Sequence, residues 1–314
     1  MKLKIVFMGT PEFSVPTLKK LIQDAEVLAV YTQPDKPVGR GLQMQPSPVK
    51  KVALEQQIPV FTPEKVSLPE EVDKLLAYHA DFFVIVAYGQ ILKLPVIEAP
   101  KYGCINIHSS LLPRWRGAAP IHQALLAGDR ESGVTTMMIA PKLDAGDMLL
   151  QSKTKITDED TAESLHDRLS LLGAELILPT LNGIVNGSVK PIVQDESLVT
   201  YAKKLTKEME LIDPNRSARE VDLQVRALNP WPGTKIETTS GLKLKIKKGR
   251  PALMKNGAEV GQLFIQAPSL FLQCGNGVYE ITEIQEDGKK TVSSHDFLNG
   301  LKGRNVEFPL ELKR

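Results

Sequence analysis

The strongest constraint on the fold is the alternation of short apolar runs with amphipathic segments in the first half of the chain. The runs are rich in β-branched and aromatic residues and are bounded by glycine, proline or polar turns, which is typical of buried strands. They cover residues 5–8, 27–32, 82–87, 104–108 and 134–139, with helical patterns at 15–23 and 49–56. This alternation predicts an α/β fold with a parallel sheet and helices on both faces.

A long helix is predicted from about residue 161. Asp160 and Glu163 have the spacing of a helix N-cap and the third helical residue. One face of the predicted helix carries an apolar stripe, typical of core packing, formed by Leu165, Leu169, Leu172 and Leu176.

The pattern changes after about residue 188. Residues 189–207 are polar and lack sustained periodicity, which predicts a linker. Ser217 and Glu220 then have the spacing of a capping box, and short alternating runs broken by glycine and asparagine follow residue 233. We therefore expect an α/β domain over residues 1–188, a linker over 189–207 and a small β-barrel domain over 208–314.

Composition narrows the class of protein. Cys104 and Cys274 are too few for a disulfide framework, and no CxxC or HExxH spacing indicates a metal site. The opening MKLKIVF passes straight into polar sequence, and no stretch approaches the ~20 apolar residues of a membrane span. A cytoplasmic protein with no metal and no membrane partner is expected.

Candidate chemistry is concentrated at the end of one predicted strand. Asn106 and His108 are two residues apart and so project from the same face of that strand. The carboxyl ends of strands are where open α/β sheets bind ligands, whereas the single glycine of MGTPEF (residues 8–13) disfavours a dinucleotide site. An amide can donate to a developing oxyanion while an imidazole adds charge or moves a proton. The pair could equally tie down a loop.

A carboxylate candidate lies in the turn LDAGD, residues 143–147. If the strand before this turn ran parallel to its neighbour, Asp144 would come close to His108. A carboxylate that orients an imidazole is a recurring arrangement. Asp147 could equally cap a turn or begin the next strand.

These residues together resemble the active-site signature of the 10-formyltetrahydrofolate-dependent formyltransferases. The signature comprises Asn106, His108, SLLPRWRGAAPI (110–121) and LDAGD. The similarity extends along nearly the whole chain through FMGTPEF, TQPDKPVGRG, PSPVK, IVAYGQIL and NPWPG. It implies a Rossmann-like catalytic domain joined by a linker to a C-terminal, OB-like β-barrel that binds tRNA.

The resemblance also implies the site residues. Asn106, His108 and Asp144 would be catalytic. The folate site would be lined by Ser110, Leu111, Leu112, Pro113, Val86, Tyr88, Gly89, Ile91 and Leu92. The co-substrate would be 10-formyltetrahydrofolate, and no metal would be needed. The acceptor would be the α-amino group of methionyl initiator tRNA. The protein would be a cytoplasmic monomer.

The segment 33–50 is rich in proline and glycine, which predicts a mobile loop. In the family this loop enters the tRNA acceptor stem, and Arg40 matches its arginine, with Lys36 and Lys50 adding charge. Leu42 and Gln43 stand where relatives can carry lysines.

A second set of basic residues lies in the predicted barrel. Residues 201–314 hold 19 Lys and Arg against 14 Asp and Glu. Apolar residues at 242, 244 and 246 alternate with Lys243, Lys245 and Lys247, which predicts a half-buried strand whose exposed face could meet phosphates.

Other functions on the same scaffold stay open at this point. One is another folate-dependent formyltransferase, acting on a nucleotide sugar. A second is a hydrolase of formyltetrahydrofolate, and a third is a catalytically inert RNA-binding protein.

Overall fold

The computed structural model describes residues 2–38, 43–254, 257–304 and 306–313. The chain divides into two compact units. The first comprises Met1–Pro120, Glu131–Lys155 and His166–Ala202, and the second comprises Ile121–Arg130, Ile156–Leu165 and Lys203–Arg314.

Strands of the first unit are short and mostly buried. They are β1 Lys4–Gly9, β2 Glu26–Tyr31, β3 Lys36–Val38, β4 Gln43–Gln45, β5 Val60–Phe61, β6 Phe82–Val86, β7 Cys104–His108, β8 Arg116–Gly117, β9 Glu131–Met138, β10 Met148–Lys155 and β11 Tyr201–Ala202. The helices up to residue 185 are α1 Val15–Asp24, α2 Pro48–Glu55, α3 Pro69–Ala77, α4 Leu94–Ile97, α5 Pro120–Leu126 and α6 Ala162–Val185.

The main sheet of the first unit has the strand order β10-β9-β7-β6-β1-β2-β5. Its five strands from β5 to β7 are parallel, and all five residues of β6 are buried, as expected for a sheet covered on both faces. The α/β fold with a parallel sheet is confirmed. The strand β9 departs from the expectation, because it runs antiparallel to β7.

Helix α6 packs on this sheet. A Cβ at Gly173 would lie 2.9 Å from Cγ2 of Ile107 on β7, and the hydroxyls of Thr180 and Thr136 are 2.9 Å apart. By length and composition alone, α6 could span a membrane, so the expectation that no stretch approaches that length was wrong. The contacts with β7 and β9 are those of a helix in a protein core.

The N-cap of α6 lies one residue later than the sequence indicated. Thr161 and Ser164 exchange side-chain to main-chain hydrogen bonds of 3.0 and 3.2 Å, which is the reciprocal capping pattern. Asp160 instead closes the preceding turn, because its carboxylate accepts from the main-chain N–H of Thr157 at 2.8 Å.

The segment predicted to be a mobile loop contains a β-hairpin. Strands β3 and β4 pair antiparallel, with Lys36 opposite Gln45 and Pro37 opposite Met44. A two-stranded ribbon has only edge strands, where proline is tolerated, so the prolines that suggested a loop do not prevent pairing. Arg40 lies outside the described residues.

The second unit contains an antiparallel sheet. Its strands are β12 Lys235–Glu237, β13 Lys243–Ala252, β14 Gln262–Gln266, β15 Ser269–Gln273, β16 Val278–Glu286, β17 Val292–Ser293 and β18 Leu310–Glu311, with helices α7 Ala218–Leu228 and α8 Ser294–Leu301. The order is β12-β13-β16-β15-β14-β18.

The two edges of this sheet meet, which confirms the predicted small barrel. The N–H of Lys313 donates to the carbonyl of Glu237, and that of Thr239 donates to Glu311, both at 2.8 Å. The interior is apolar and includes Ile246, and α7 begins with the predicted capping box of Ser217 and Glu220.

Candidate active site

Asn106 and His108 project from the same face of β7. His108 is buried, with 6% of its surface exposed, whereas Asn106 is partly exposed. None of the described residues hydrogen-bonds the Asn106 side chain, so its amide N–H groups are available to a ligand. The predicted pair therefore lies together, with the amide as its accessible member.

The imidazole of His108 is held through one ring nitrogen. Its Nε2 lies 2.9 Å from the carbonyl oxygen of Trp115. A carbonyl can only accept, so Nε2 carries a proton in this arrangement. Nδ1 faces Oδ2 of Asp144 at 3.8 Å, which is an ion-pair distance but longer than a hydrogen bond. Nδ1 is thus the ring nitrogen left free to exchange a proton.

Asp144 reaches His108 by a different route from the one expected. Because β9 is antiparallel to β7, its end at Met138 lies beside Ile105 rather than beside His108. The turn after β9 therefore has to fold back along the sheet. Its main chain is strained, with Asp144 at φ +45°, and the carboxylate accepts from the N–H of Gly117 at 2.9 Å.

The turn is also closely packed. A Cβ at Gly146 would lie 1.8 Å from the carbonyl oxygen of Met138, so only glycine fits there without displacement. The structure therefore gives a reason for two residues of the LDAGD motif. The carboxylate of Asp144 accepts a hydrogen bond from Gly117, and position 146 has no room for a side chain.

The candidate folate-lining turn is rigidly held. Ser110 is 2% exposed, and its hydroxyl donates to the Arg114 carbonyl at 2.6 Å. Leu112 is buried, its N–H donates to the Thr135 hydroxyl, and its carbonyl accepts from Gln151. Leu111 packs near Gly133, and Pro113 follows a cis peptide bond. The Ser110 hydroxyl and both main-chain polar groups of Leu112 are thus hydrogen-bonded to other groups of the protein.

The other candidate folate-lining segment follows β6. The side chains of Tyr88 and Leu92 lie in a hydrophobic cluster, and Val86 is fully buried. Burial raises the pKa of Tyr88, so its phenol stays neutral. Gly89 has φ +86°, and Ile91 is 88% exposed. Of the five predicted residues, Ile91 offers a side chain at the surface and the others offer mainly their main chain.

The basic residues predicted to meet tRNA have different surroundings. Lys36 is exposed, whereas Nζ of Lys50 pairs with Asp35 at 2.7 Å. Lys243 and Lys245 are exposed on β13, but a bulge follows Ile246. The regular alternation predicted from the sequence therefore ends there, and Lys247 is half-buried.

Residues 194–202, which fall in the predicted linker, contact the candidate site. The N–H of Trp115 donates to the hydroxyl of Thr200 at 2.9 Å, and Tyr201 pairs with Arg116 in a parallel β8–β11 ribbon. Gln194 donates to the main chain of Asp144. The segment is polar and aperiodic, so no local signal in the sequence indicated these contacts.

Among the described residues, no group of three or more His, Cys, Asp or Glu side chains could hold a metal ion. Comparison with known families identifies the family of the chain. Residues 2–181 match the formyl transferase family model, and residues 204–302 match that of the formyl transferase C-terminal domain. The chain belongs to the formyl transferase family.

Similar members of this family include bacterial methionyl-tRNA formyltransferases. The methionyl-tRNA formyltransferase of Methylococcus capsulatus is 48% identical over 298 residues, covering 95% of this chain and 96% of that protein. The methionyl-tRNA formyltransferase of Bacillus subtilis is 44% identical over 300 residues, covering 95% and 94%. The resemblance inferred from the motifs is confirmed over nearly the full length.

Solved structures with the same fold are more distant in sequence. WlaRD, a sugar 3N-formyl transferase, superposes with a TM-score of 0.68 at 22% identity, over 92% of this chain and all of that one. HypX from Aquifex aeolicus, in complex with tetrahydrofolic acid, superposes with a TM-score of 0.63 at 17% identity, over 100% of this chain and 51% of that one. These likenesses show the shared fold alone.

Proposed function

We propose that this protein transfers the formyl group of 10-formyltetrahydrofolate to the α-amino group of methionyl initiator tRNA, as a cytoplasmic monomer. The 48% identity to a methionyl-tRNA formyltransferase over 95% of the chain carries the proposal. The site supports it, because Asn106 and His108 project from the same face of β7 and Nδ1 of His108 lies 3.8 Å from the carboxylate of Asp144.

The reaction exchanges one carbon–nitrogen bond for another. The α-amine attacks the formyl carbon, a tetrahedral oxyanion forms, and the bond from carbon to N10 then breaks. The free amide of Asn106 donates to the oxyanion, an interaction worth ~3 kcal/mol in the transition state. Protonated His108 places a positive charge beside it.

The proton transfer involves Nδ1 of His108, the ring nitrogen that is not bonded to the Trp115 carbonyl. The attacking amine loses a proton and N10 gains one, so the reaction needs no net acid or base. Nδ1 of His108, 3.8 Å from Asp144, is the ring nitrogen available for this relay, directly or through one water. The carboxylate of Asp144 faces this nitrogen and orients the ring.

The binding regions follow from the same proposal. Ser110 to Pro113 and the main chain at 86–92 line the folate site. We assign catalysis to residues 1–188 and tRNA binding to the barrel at 208–314, joined through residues 189–207. The segment 33–50, through Lys36, Arg40 and Lys50, contacts the acceptor stem.

A panel of acceptors tests the proposed function. The protein is incubated with 10-formyltetrahydrofolate and one of four acceptors: methionyl initiator tRNA, methionyl elongator tRNA, free methionine or a nucleotide-linked amino sugar. Formylation of methionyl initiator tRNA at the highest kcat/KM is expected. Preference for the amino sugar would favour the sugar-modifying alternative, and absence of any turnover would favour an inert RNA-binding protein.

Arg40→Ala is expected to lower kcat/KM for methionyl initiator tRNA by roughly tenfold, because a charged hydrogen bond to phosphate or a base edge contributes about 1–3 kcal/mol. The Kd for the folate should change less than about twofold, since the candidate folate-lining segments lie outside the hairpin. Separate titrations of folate and tRNA measure the two effects. Equal losses in both would show that the hairpin shapes the folate site instead.

Lys243→Gln/Lys245→Gln is expected to weaken tRNA binding and flatten its salt dependence. Each lost phosphate contact lowers the slope of log K against log salt by about 0.7–0.9. Lys153→Gln/Lys155→Gln is a matched control, because these two exposed lysines alternate in the same way on β10. An unchanged slope in the barrel variant would mean that these lysines only solvate the barrel.

A further inference from the structure

Gln194 has a buried side chain that makes three hydrogen bonds to residues of the candidate site. It is 4% exposed, and its Nε2 donates to the carbonyl oxygens of Asp144 at 2.9 Å and Gly146 at 2.7 Å. Its Oε1 accepts from Nε of Arg116 at 2.9 Å. One amide therefore bridges the turn that carries Asp144 and the short strand β8 that carries Arg116.

The orientation of this amide is determined by its partners. A guanidinium can only donate, so the Gln194 oxygen has to face Arg116, and the NH₂ group then has to face the two carbonyls. Arg116 is itself fully buried, and its Nη2 donates to Glu196 at 2.9 Å. That hydrogen bond lowers the pKa of Glu196, which keeps the partner of Arg116 ionised.

The Asp144 turn needs such a support. Asp144 has φ +45°, in the left-handed region that non-glycine residues adopt at some cost, so contacts of its main chain help to hold it there. The imidazole does not enforce it, because Nδ1 of His108 is 3.8 Å from the carboxylate and makes no hydrogen bond to it. Among the described residues, the N–H of Gly117 bonds Oδ2 of Asp144 and the amide of Gln194 bonds its carbonyl oxygen.

Three consecutive residues connect these restraints to the catalytic imidazole. The carbonyl of Trp115 accepts from His108, the side chain of Arg116 orients Gln194, and the N–H of Gly117 binds the Asp144 carboxylate. Residues 115–117 therefore contact both the imidazole and the carboxylate, and Gln194 fixes the Asp144 turn to the same three-residue segment.

We propose that Gln194 is a positioning residue of formyl transfer, acting through Asp144 on His108. The inference rests on the proposed function, because it concerns the same catalytic pair. The Gln194 side chain bonds the main chain of the Asp144 turn and the guanidinium of Arg116, so it acts through them. Its loss should lower turnover without changing how tightly the substrates bind.

Gln194→Met removes the amide at similar volume. We expect kcat to fall about 10- to 100-fold with both KM values within about threefold, the size expected when a catalytic group shifts by roughly 1 Å. In the Asp144→Asn background the same substitution should lower kcat by less than about threefold, since residues that act as a unit are not additive.

Gln224→Met is the matched control. Gln224 is also buried, at 6% exposure, and its Nε2 also donates to two carbonyls, those of Met209 and Leu211. Its replacement should lower the melting temperature about as much as Gln194→Met does, while kcat stays within about twofold of the unsubstituted enzyme. Thermal unfolding and steady-state kinetics of each variant provide the comparison.

Gln194→Glu tests the positioning role if Gln194→Met fails to fold. It keeps the acceptor for Arg116 but turns an oxygen towards the two carbonyls, so kcat should fall while the ion pair holds the segment. An unchanged kcat in either folded variant would overturn the inference. So would a Gln194→Met substitution that lowers kcat by the same factor in the Asp144→Asn background as in the unsubstituted protein. If the unsubstituted protein transfers no formyl group, the proposed function fails and the inference fails with it.

Discussion

Replacing Asn106 by alanine is expected to lower kcat about 10²- to 10³-fold, because the substitution removes a donor aimed at the developing oxyanion. Replacing His108 by alanine is expected to lower it by a similar or larger factor, about 10²- to 10⁴-fold, through loss of the charge and of the proton relay. Both variants should bind 10-formyltetrahydrofolate and tRNA with Kd values close to those of the unsubstituted protein. Single-turnover rates and equilibrium binding measure the two properties separately.

The protein contains a matched pair for this experiment. Asn299 and His295 also lie close together, with ring and amide nitrogens 3.3–3.4 Å apart, but on the exposed surface of α8. Asn299→Ala and His295→Ala should leave kcat within about twofold, as expected for surface substitutions. Near-normal turnover of folded Asn106→Ala and His108→Ala would remove the roles assigned to them.

Gly146→Ala is expected to cost both activity and stability. The new methyl group would meet the Met138 carbonyl at 1.8 Å, and main-chain atoms cannot move aside as a flexible side chain can. Displacement of the turn should lower the free energy of unfolding by about 1–3 kcal/mol. Because Asp144 lies on the same turn, kcat should fall roughly 10²-fold or more.

Gly300→Ala is the control for this substitution. Gly300 lies in α8, and a Cβ there would meet no atom within 4 Å, so alanine should be neutral or stabilising by up to ~1 kcal/mol. Thermal unfolding and kcat are measured for both variants. A Gly146→Ala enzyme with normal kcat would show that the position of Asp144 does not govern the reaction.

Features with a local signal were predictable from the sequence. The buried strands of the parallel sheet appear as apolar runs bounded by turns, and the run predicted at residues 104–108 coincides with β7. The capping box of Ser217 and Glu220 was visible from a spacing of three residues. The direction of β9 was not, because an apolar run looks the same in a parallel and an antiparallel strand.

Parts of the candidate site depend on contacts that no local pattern encodes. Asn106 and His108 share a face because they are two residues apart, so their juxtaposition follows from the strand itself. Gln194 lies 50 residues from Asp144 in the chain and meets it only in the folded protein. Thr200 meets Trp115 across 85 residues, in a segment whose polar composition suggested a linker.

The fate of the formyl carbon tests the central claim most directly. The protein is supplied with 10-formyltetrahydrofolate labelled in the formyl group and with methionyl initiator tRNA, and the label is followed in formate, in tetrahydrofolate derivatives and in the methionine released from the tRNA. We expect the label in N-formylmethionine, one equivalent for each tetrahydrofolate formed, and no consumption of the folate without an amine acceptor. Label recovered as free formate, with tetrahydrofolate formed at the same rate when tRNA is omitted, would contradict the transfer and identify a hydrolase.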